Sequence, residues 1–139
     1  MISVFLDNTG SMQEMAKKEA LIYTAKSIED YCNFYGIQVS FFNISGQNIS
    51  KIEELKITNQ KTFPTIKNSN SIFISDGLIE SKDFQFDASI GIGIDADLKK
   101  LNEISKFVVK PENLIMAVDY LVCSNKIQLL SKNEQEDEW

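Results

Sequence analysis

The sequence of 139 residues contains no histidine. That absence removes Ser-His-Asp and Cys-His nucleophilic triads, His-ligated zinc and imidazole acid–base chemistry together. Cysteine is scarce too: Cys32 and Cys123 stand far apart and form no CxxC pair. Such spacing fits neither a disulfide scaffold nor a zinc site and reads as two buried structural thiols. No apolar run approaches the roughly 18 residues that a membrane span requires. The apolar start, Met1 to Leu6, has no basic segment before it and stops at Asp7, so it reads as neither signal peptide nor span. Positive charge does not dominate, since 14 Lys+Arg face 20 Asp+Glu for a net −6. A nucleic-acid partner, which favours a basic stripe, is not expected. These absences describe a soluble, cytoplasmic protein without a membrane partner.

What is present is an ordinary globular composition, 43% apolar and 24% charged. A chain of this length buries roughly 68–70% of its unfolded surface, enough for its own core. One domain over 1–130 is expected, followed by a frayed acidic tail at 131–139 that carries Glu134, Glu136, Asp137 and Glu138.

The apolar pattern alternates in period. Ile2 to Leu6 reads as a buried parallel strand. From Gln13 to Tyr35 a long helix is expected, with Leu21, Ala25, Ile28, Cys32 and Tyr35 on one face and Gly36 as its stop. Strands follow at Ile37 to Phe42, Ser71 to Ile74, Ser89 to Ile94 and Phe107 to Val109. The pattern predicts helices from Leu98 to Ile104 and from Pro111 onward, the second with Leu114, Ile115, Val118, Leu121 and Val122 on one face. Between Asn43 and Asn70 the pattern predicts only an edge strand or helical turn near Ile49 to Ile57. Alternating strands and helices give an α/β fold, Rossmann-like and three-layered (α/β/α), with a mostly parallel central sheet and helices on both faces.

Three expected strands end in acidic turns, at Asp7, at Asp76, and at Asp95 with Asp97. In open parallel sheets ligands bind just beyond the carboxyl ends of the strands, so Asp7 and Asp76 can meet at one rim. Thr9 and Ser11 add hydroxyl oxygens, and an all-oxygen set suits Mg²⁺, Mn²⁺ or Ca²⁺. Repulsion between the two carboxylates would make Asp76→Asn raise the melting temperature in chelator. The plainer explanations are a helix cap for Asp7 to Ser11, a turn at Asp76-Gly77 and a cap for the next helix at Asp95 and Asp97.

An apolar strand, then Asp7-x-Thr9-Gly10-Ser11-Met12 and a long helix, resembles the start of a von Willebrand factor A domain with its metal-ion-dependent adhesion site. Ile74-Ser75-Asp76-Gly77 is similar to that family's second acidic turn. Gly91 to Ile94, the Leu98 helix and Phe107 to Leu121 are similar to its closing elements. The resemblance implies that Asp7, Thr9, Ser11 and Asp76 hold a divalent cation, Mg²⁺ or else Mn²⁺ or Ca²⁺. It also implies a threonine from a middle loop, for which Thr58, Thr62 and Thr65 are candidates, and departs from the family where a helix is missing before Asp76. It further implies a protein partner that offers a carboxylate to the cation, with an AAA+ ATPase or a multi-component assembly as the partner class, and no catalysis. A metal-free adaptor with a degenerate site is the first alternative.

The second alternative is enzymatic. Asp7 to Ser11 also resembles the phosphorylation loop of haloacid-dehalogenase-like phosphotransferases. That resemblance implies Asp7 as nucleophile, Asp76 at Mg²⁺, Ser45 at the phosphate and Lys61 or Lys67 as its cation. Against it stand the early start of the long helix and Thr9 where a second Asp is usual.

Overall fold

The computed structural model describes residues 1–58, 63–79 and 83–124. The tail at 131–139, Thr62 and Lys61 lie outside them. Among the described residues seven strands form one mostly parallel sheet: β1 (Ile2–Leu6), β2 (Val39–Asn43), β3 (Asn48–Ile49), β4 (Ile66–Lys67), β5 (Ser71–Ser75), β6 (Phe84–Gly91) and β7 (Ser105–Val109). β1 lies at the centre, parallel to β2 on one side and β5 on the other. β6 pairs in parallel with β5, β4 and β7, and only the short β3 runs antiparallel, against β2. The α/β architecture expected from the alternating pattern is therefore the observed one.

Helices cover both faces. On one, Leu21, Ala25, Ile28 and Cys32 of α1 (Lys17–Phe34) pack with Ala117, Val118 and Leu121 of α3 (114–124) over Val4, Leu6, Ile72 and Ile74. On the other, Leu101 and Ile104 of α2 (Leu98–Ile104) join Phe5, Phe73, Phe84 and Phe86. The alternation of Phe5 with Val4 and Leu6, and of Phe73 with Ile72 and Ile74, is the period of two that a doubly covered strand displays.

Several expectations are corrected. α1 begins at Lys17 rather than Gln13, because Gly10–Gln13 forms a tight 3₁₀ turn and Met15 and Ala16 adopt left-handed backbone. Tyr35 is exposed, outside the apolar face of α1, and Ile115 is exposed with Ala117 buried in its stead. Cys32 is buried, its thiol pushed up to about 11 by that burial, whereas Cys123 is exposed. β6 starts at Phe84, five residues earlier than the apolar run at Ser89, because Gln85 and Asp87 interrupt the run without interrupting the strand. Among the described residues no helix is long and apolar enough to cross a membrane.

The chain leaves β1 through α1 toward β2 and β3, and then continues from β5 through β6 and α2 to β7 on the other side. The sheet thus reverses its direction of growth between β1 and β5. Such a switch point opens a crevice at the carboxyl ends of the two strands. Asp7 and Asp76 stand at those two ends.

Candidate metal centre

Asp7 follows β1 and keeps its backbone in the sheet, donating its N–H to Ile74 O at 3.0 Å. Its side chain is buried. Oδ1 accepts the Thr9 N–H at 2.9 Å and the Thr9 hydroxyl at 2.6 Å, and Oδ2 accepts the Ser75 hydroxyl at 2.6 Å. Among the described residues no basic side chain pairs with it. Burial raises its pKa, against the hydrogen bonds from Ser75 and Thr9, and the nearby Asp76 adds to the rise.

The helix-cap explanation for this motif does not hold. Thr9 precedes the 3₁₀ turn and Ala16 precedes α1, and neither end has a side-chain cap. The Thr9 hydroxyl instead donates its hydrogen bond to Asp7 Oδ1, which leaves the hydroxyl's lone pairs free to coordinate a cation. Ser11 Oγ is buried and makes no hydrogen bond. A buried hydroxyl without a partner is uncommon and calls for a ligand or a function.

Of the three candidate threonines, Thr58 and Thr65 are among the described residues. Thr58 pairs with Thr9 as an isolated parallel bridge and donates its N–H to Asn8 O at 2.7 Å. Thr65 is exposed and precedes β4, which pairs with the amino-terminal start of β6, at the other end of the sheet. Lys67 belongs to the same strand, its backbone paired with Gln85. Ser45, the phosphate contact of the phosphotransferase reading, follows β2 and donates its N–H to Asn43 Oδ1 at 2.9 Å.

Asp76 is likewise buried. Oδ1 accepts the Leu78 N–H at 3.0 Å, as the turn explanation requires. Gly77 has φ +77°, and a Cβ there would lie 2.5 Å from Asp97 O, so only glycine fits. Oδ2, however, accepts from Lys17 Nζ at 3.0 Å. Lys17 is buried at the first position of α1 and also pairs with Asp95, at 2.8 Å from Oδ1. Burial opposes its charge, but the contacts with Asp95 and Asp76 prevail and raise its pKa. Asp95 therefore serves Lys17 rather than capping α2. Asp97 alone caps, accepting the Lys100 N–H at 3.0 Å. With Lys17 in contact, relief of repulsion is not what Asp76→Asn would produce.

Three residues were missed by sequence reasoning. Lys17 sits in a Lys-Lys pair that reads as solvated. Ser75, the last residue of β5, holds Asp7 and also accepts the Gly77 N–H at 3.0 Å. Asn8 staples three segments, donating to Lys56 O at 2.9 Å and accepting the Ile44 N–H at 3.1 Å. An open polar groove of about 590 Å³ runs from Asn8 and Thr58 past Asn43, Ser45 and Lys56.

The donor set contains two carboxylates and three hydroxyls. Among the described residues no group of three or more His, Cys, Asp or Glu side chains is placed to hold a metal. Any cation here must rely on hydroxyl oxygens, water and an outside ligand, which suits a hard divalent ion. The orphaned Ser11 oxygen and the unpaired Asp7 carboxylate fit that group. No protein-family model matches the chain, and no curated protein matches it.

A pH dependence follows from Asp7. An unfolded aspartic acid ionises near pH 4, whereas the buried one holds its proton to higher pH. In chelator the folded state is then favoured at low pH, and this contribution is lost as pH rises through the elevated folded pKa. Urea melts from pH 4 to 8 should show the parent losing stability relative to Asp7→Asn, with parallel profiles counting against it.

Proposed function

We propose that this chain is a protein-interaction module of von Willebrand factor A type that binds its partner through a divalent cation, without catalysis, in the cytoplasm. The observation that carries the reading is a buried Asp7 carboxylate with no basic partner, in one motif with a buried, unpartnered Ser11 hydroxyl. Thr9, Ser11 and Thr58 would offer hydroxyl oxygens, and Asp7 and Asp76 carboxylates, to Mg²⁺, Mn²⁺ or Ca²⁺. The bound ion would supply a positive centre for a carboxylate of the partner. The partner class that the resemblance suggests is an AAA+ ATPase or another component of an assembly. Asn8 holds the wall of the polar groove beside this centre, a surface on which a partner's polar groups can rest.

A metal-free adaptor is the second reading, favoured by Lys17, which already places a positive charge on Asp76.

Melting in EDTA and across Mg²⁺ and Mn²⁺ titrations tests the first reading. A ligand of the folded state present at 100 times its Kd adds about 2.7 kcal/mol. At this size that amounts to a rise of roughly 5–15 °C. Ser11→Ala removes an oxygen that bonds to nothing, so it should leave the melt in EDTA unchanged and abolish the rise. No rise in the parent up to millimolar metal would leave the adaptor reading.

A further inference from the structure

The Lys17 ammonium is built into the rim as carefully as the carboxylates. Met15 and Ala16, at φ 52° and 59°, turn the chain through left-handed backbone immediately before it, a conformation that non-glycine residues adopt at a cost. Gly93, at φ +94°, closes over its stem, and a Cβ at that position would lie 2.9 Å from Lys17 Cε and 3.1 Å from Asp95 Oδ1. Asp97 N–H donates to Asp76 O at 2.8 Å and ties the same loop to the acidic turn. Lys17 is buried one turn before Leu21 on the inner face of α1, yet its ammonium contacts Asp76 and Asp95 rather than solvent.

From this geometry we infer that Lys17 is a tethered competitor of the divalent cation. In the metal-free protein it occupies Asp76 Oδ2, and Asp76 must leave it before the carboxylate can serve a metal. The inference rests on the site of the proposed function and names what regulates its loading. Once Asp7 is ionised, Asp7, Asp76 and Asp95 against one ammonium leave two negative charges, the complement of one divalent ion. Lys17 thus does not cancel the site; it weakens one ligand and retains the charge that a single cation requires. An ion competing with a fixed ammonium binds more weakly than to a free carboxylate, and the site fills only when metal is plentiful or an acidic partner adds its own oxygen.

The decisive variant is Lys17→Met with Asp95→Asn, which removes one charge of each sign and keeps the site's total at two negative. Mn²⁺ binding, followed by loss of the free-ion spectrum in electron paramagnetic resonance and by melting, should tighten about tenfold or more relative to the parent, because a contact charge has been removed from Asp76. A general effect of charge predicts no change. If the double variant fails to fold, Asp95→Asn alone, at a partly exposed residue, leaves Lys17 to Asp76 and should weaken Mn²⁺ binding severalfold more than Asp97→Asn, which removes the same charge without touching Lys17; equal weakening overturns the competitor. Binding by the double variant but not by the parent supports the competitor and overturns the metal-dependent module. Equal or weaker binding by a folded double variant, with the parent binding, overturns the competitor and leaves the module standing. No binding by either folded protein overturns both.

Discussion

Asp76→Asn should lower the melting temperature by about 10 °C, a loss of about 3 kcal/mol. Two facing aspartates by themselves would give the opposite sign, since removing one charge would relieve repulsion. The difference is Lys17, whose Nζ is 3.0 Å from Asp76 Oδ2 with both side chains shielded from water. Breaking one side of a buried pair leaves the other charge in a poor solvent, which costs more than the intact pair contributed. Asparagine keeps the acceptor for the Leu78 N–H but can present an amide donor to an ammonium that is already a donor. The loss stays at the low end of the range because Asp95 still holds Lys17. The control is a cycle with Lys17→Met: the double change should cost clearly less than the sum of the single ones, since neither residue is then left alone. Additive losses, or a rise in melting temperature for Asp76→Asn, would show that the pair does not hold in solution.

That reversal marks where the sequence was legible and where it was not. β1, β5 and α1 are marked by short β-branched runs and by the spacing of Leu21, Ala25, Ile28 and Cys32, and burial on both faces enforces those patterns. The strand-end rule brought Asp7 and Asp76 to the two sides of one crevice, because neighbouring parallel strands end together. The first half of β6 was hidden by Gln85 and Asp87, which point out of an otherwise buried strand. The middle segment gave no means to rank its threonines, and only the bridge to Thr9 sets Thr58 apart from the other described candidate, Thr65. Lys17 was illegible in principle. A lysine near a helix start carries no local mark of burial, and its position depends on left-handed backbone at Met15 and Ala16 and on Asp95, 78 residues away.

Phe73→Ala is expected to cost about 4 kcal/mol, within the 3–5 kcal/mol typical of emptying an aromatic site. Phe73 is wholly buried on β5, stacked on Phe86 at 4.6 Å and edge-on to Phe84 at 5.7 Å. Beneath α2 the core holds Phe5, Phe73, Phe84 and Phe86 beside Ile44, Ile66, Ile79, Leu101 and Ile104, so a cavity at Phe73 has the stiff rings of Phe84 and Phe86 beside it, which relax poorly. A loss of this size is a large share of the 5–15 kcal/mol that holds a domain together. Phe73→Leu fills most of the space and should lose clearly less. Function separates this position from the rim, since β5 ends at Ser75 and leads into Asp76 only two and three residues further on, but Phe73 faces the layer of α2, away from α1 and Lys17. While the protein remains folded, Phe73→Ala should therefore keep its stabilisation by metal from a lowered starting point, whereas Ser11→Ala keeps the starting point and loses the stabilisation. A Phe73→Ala protein that remains folded but no longer responds to Mn²⁺ would mean that the site depends on the packing beneath α2, and that core and rim are not separate.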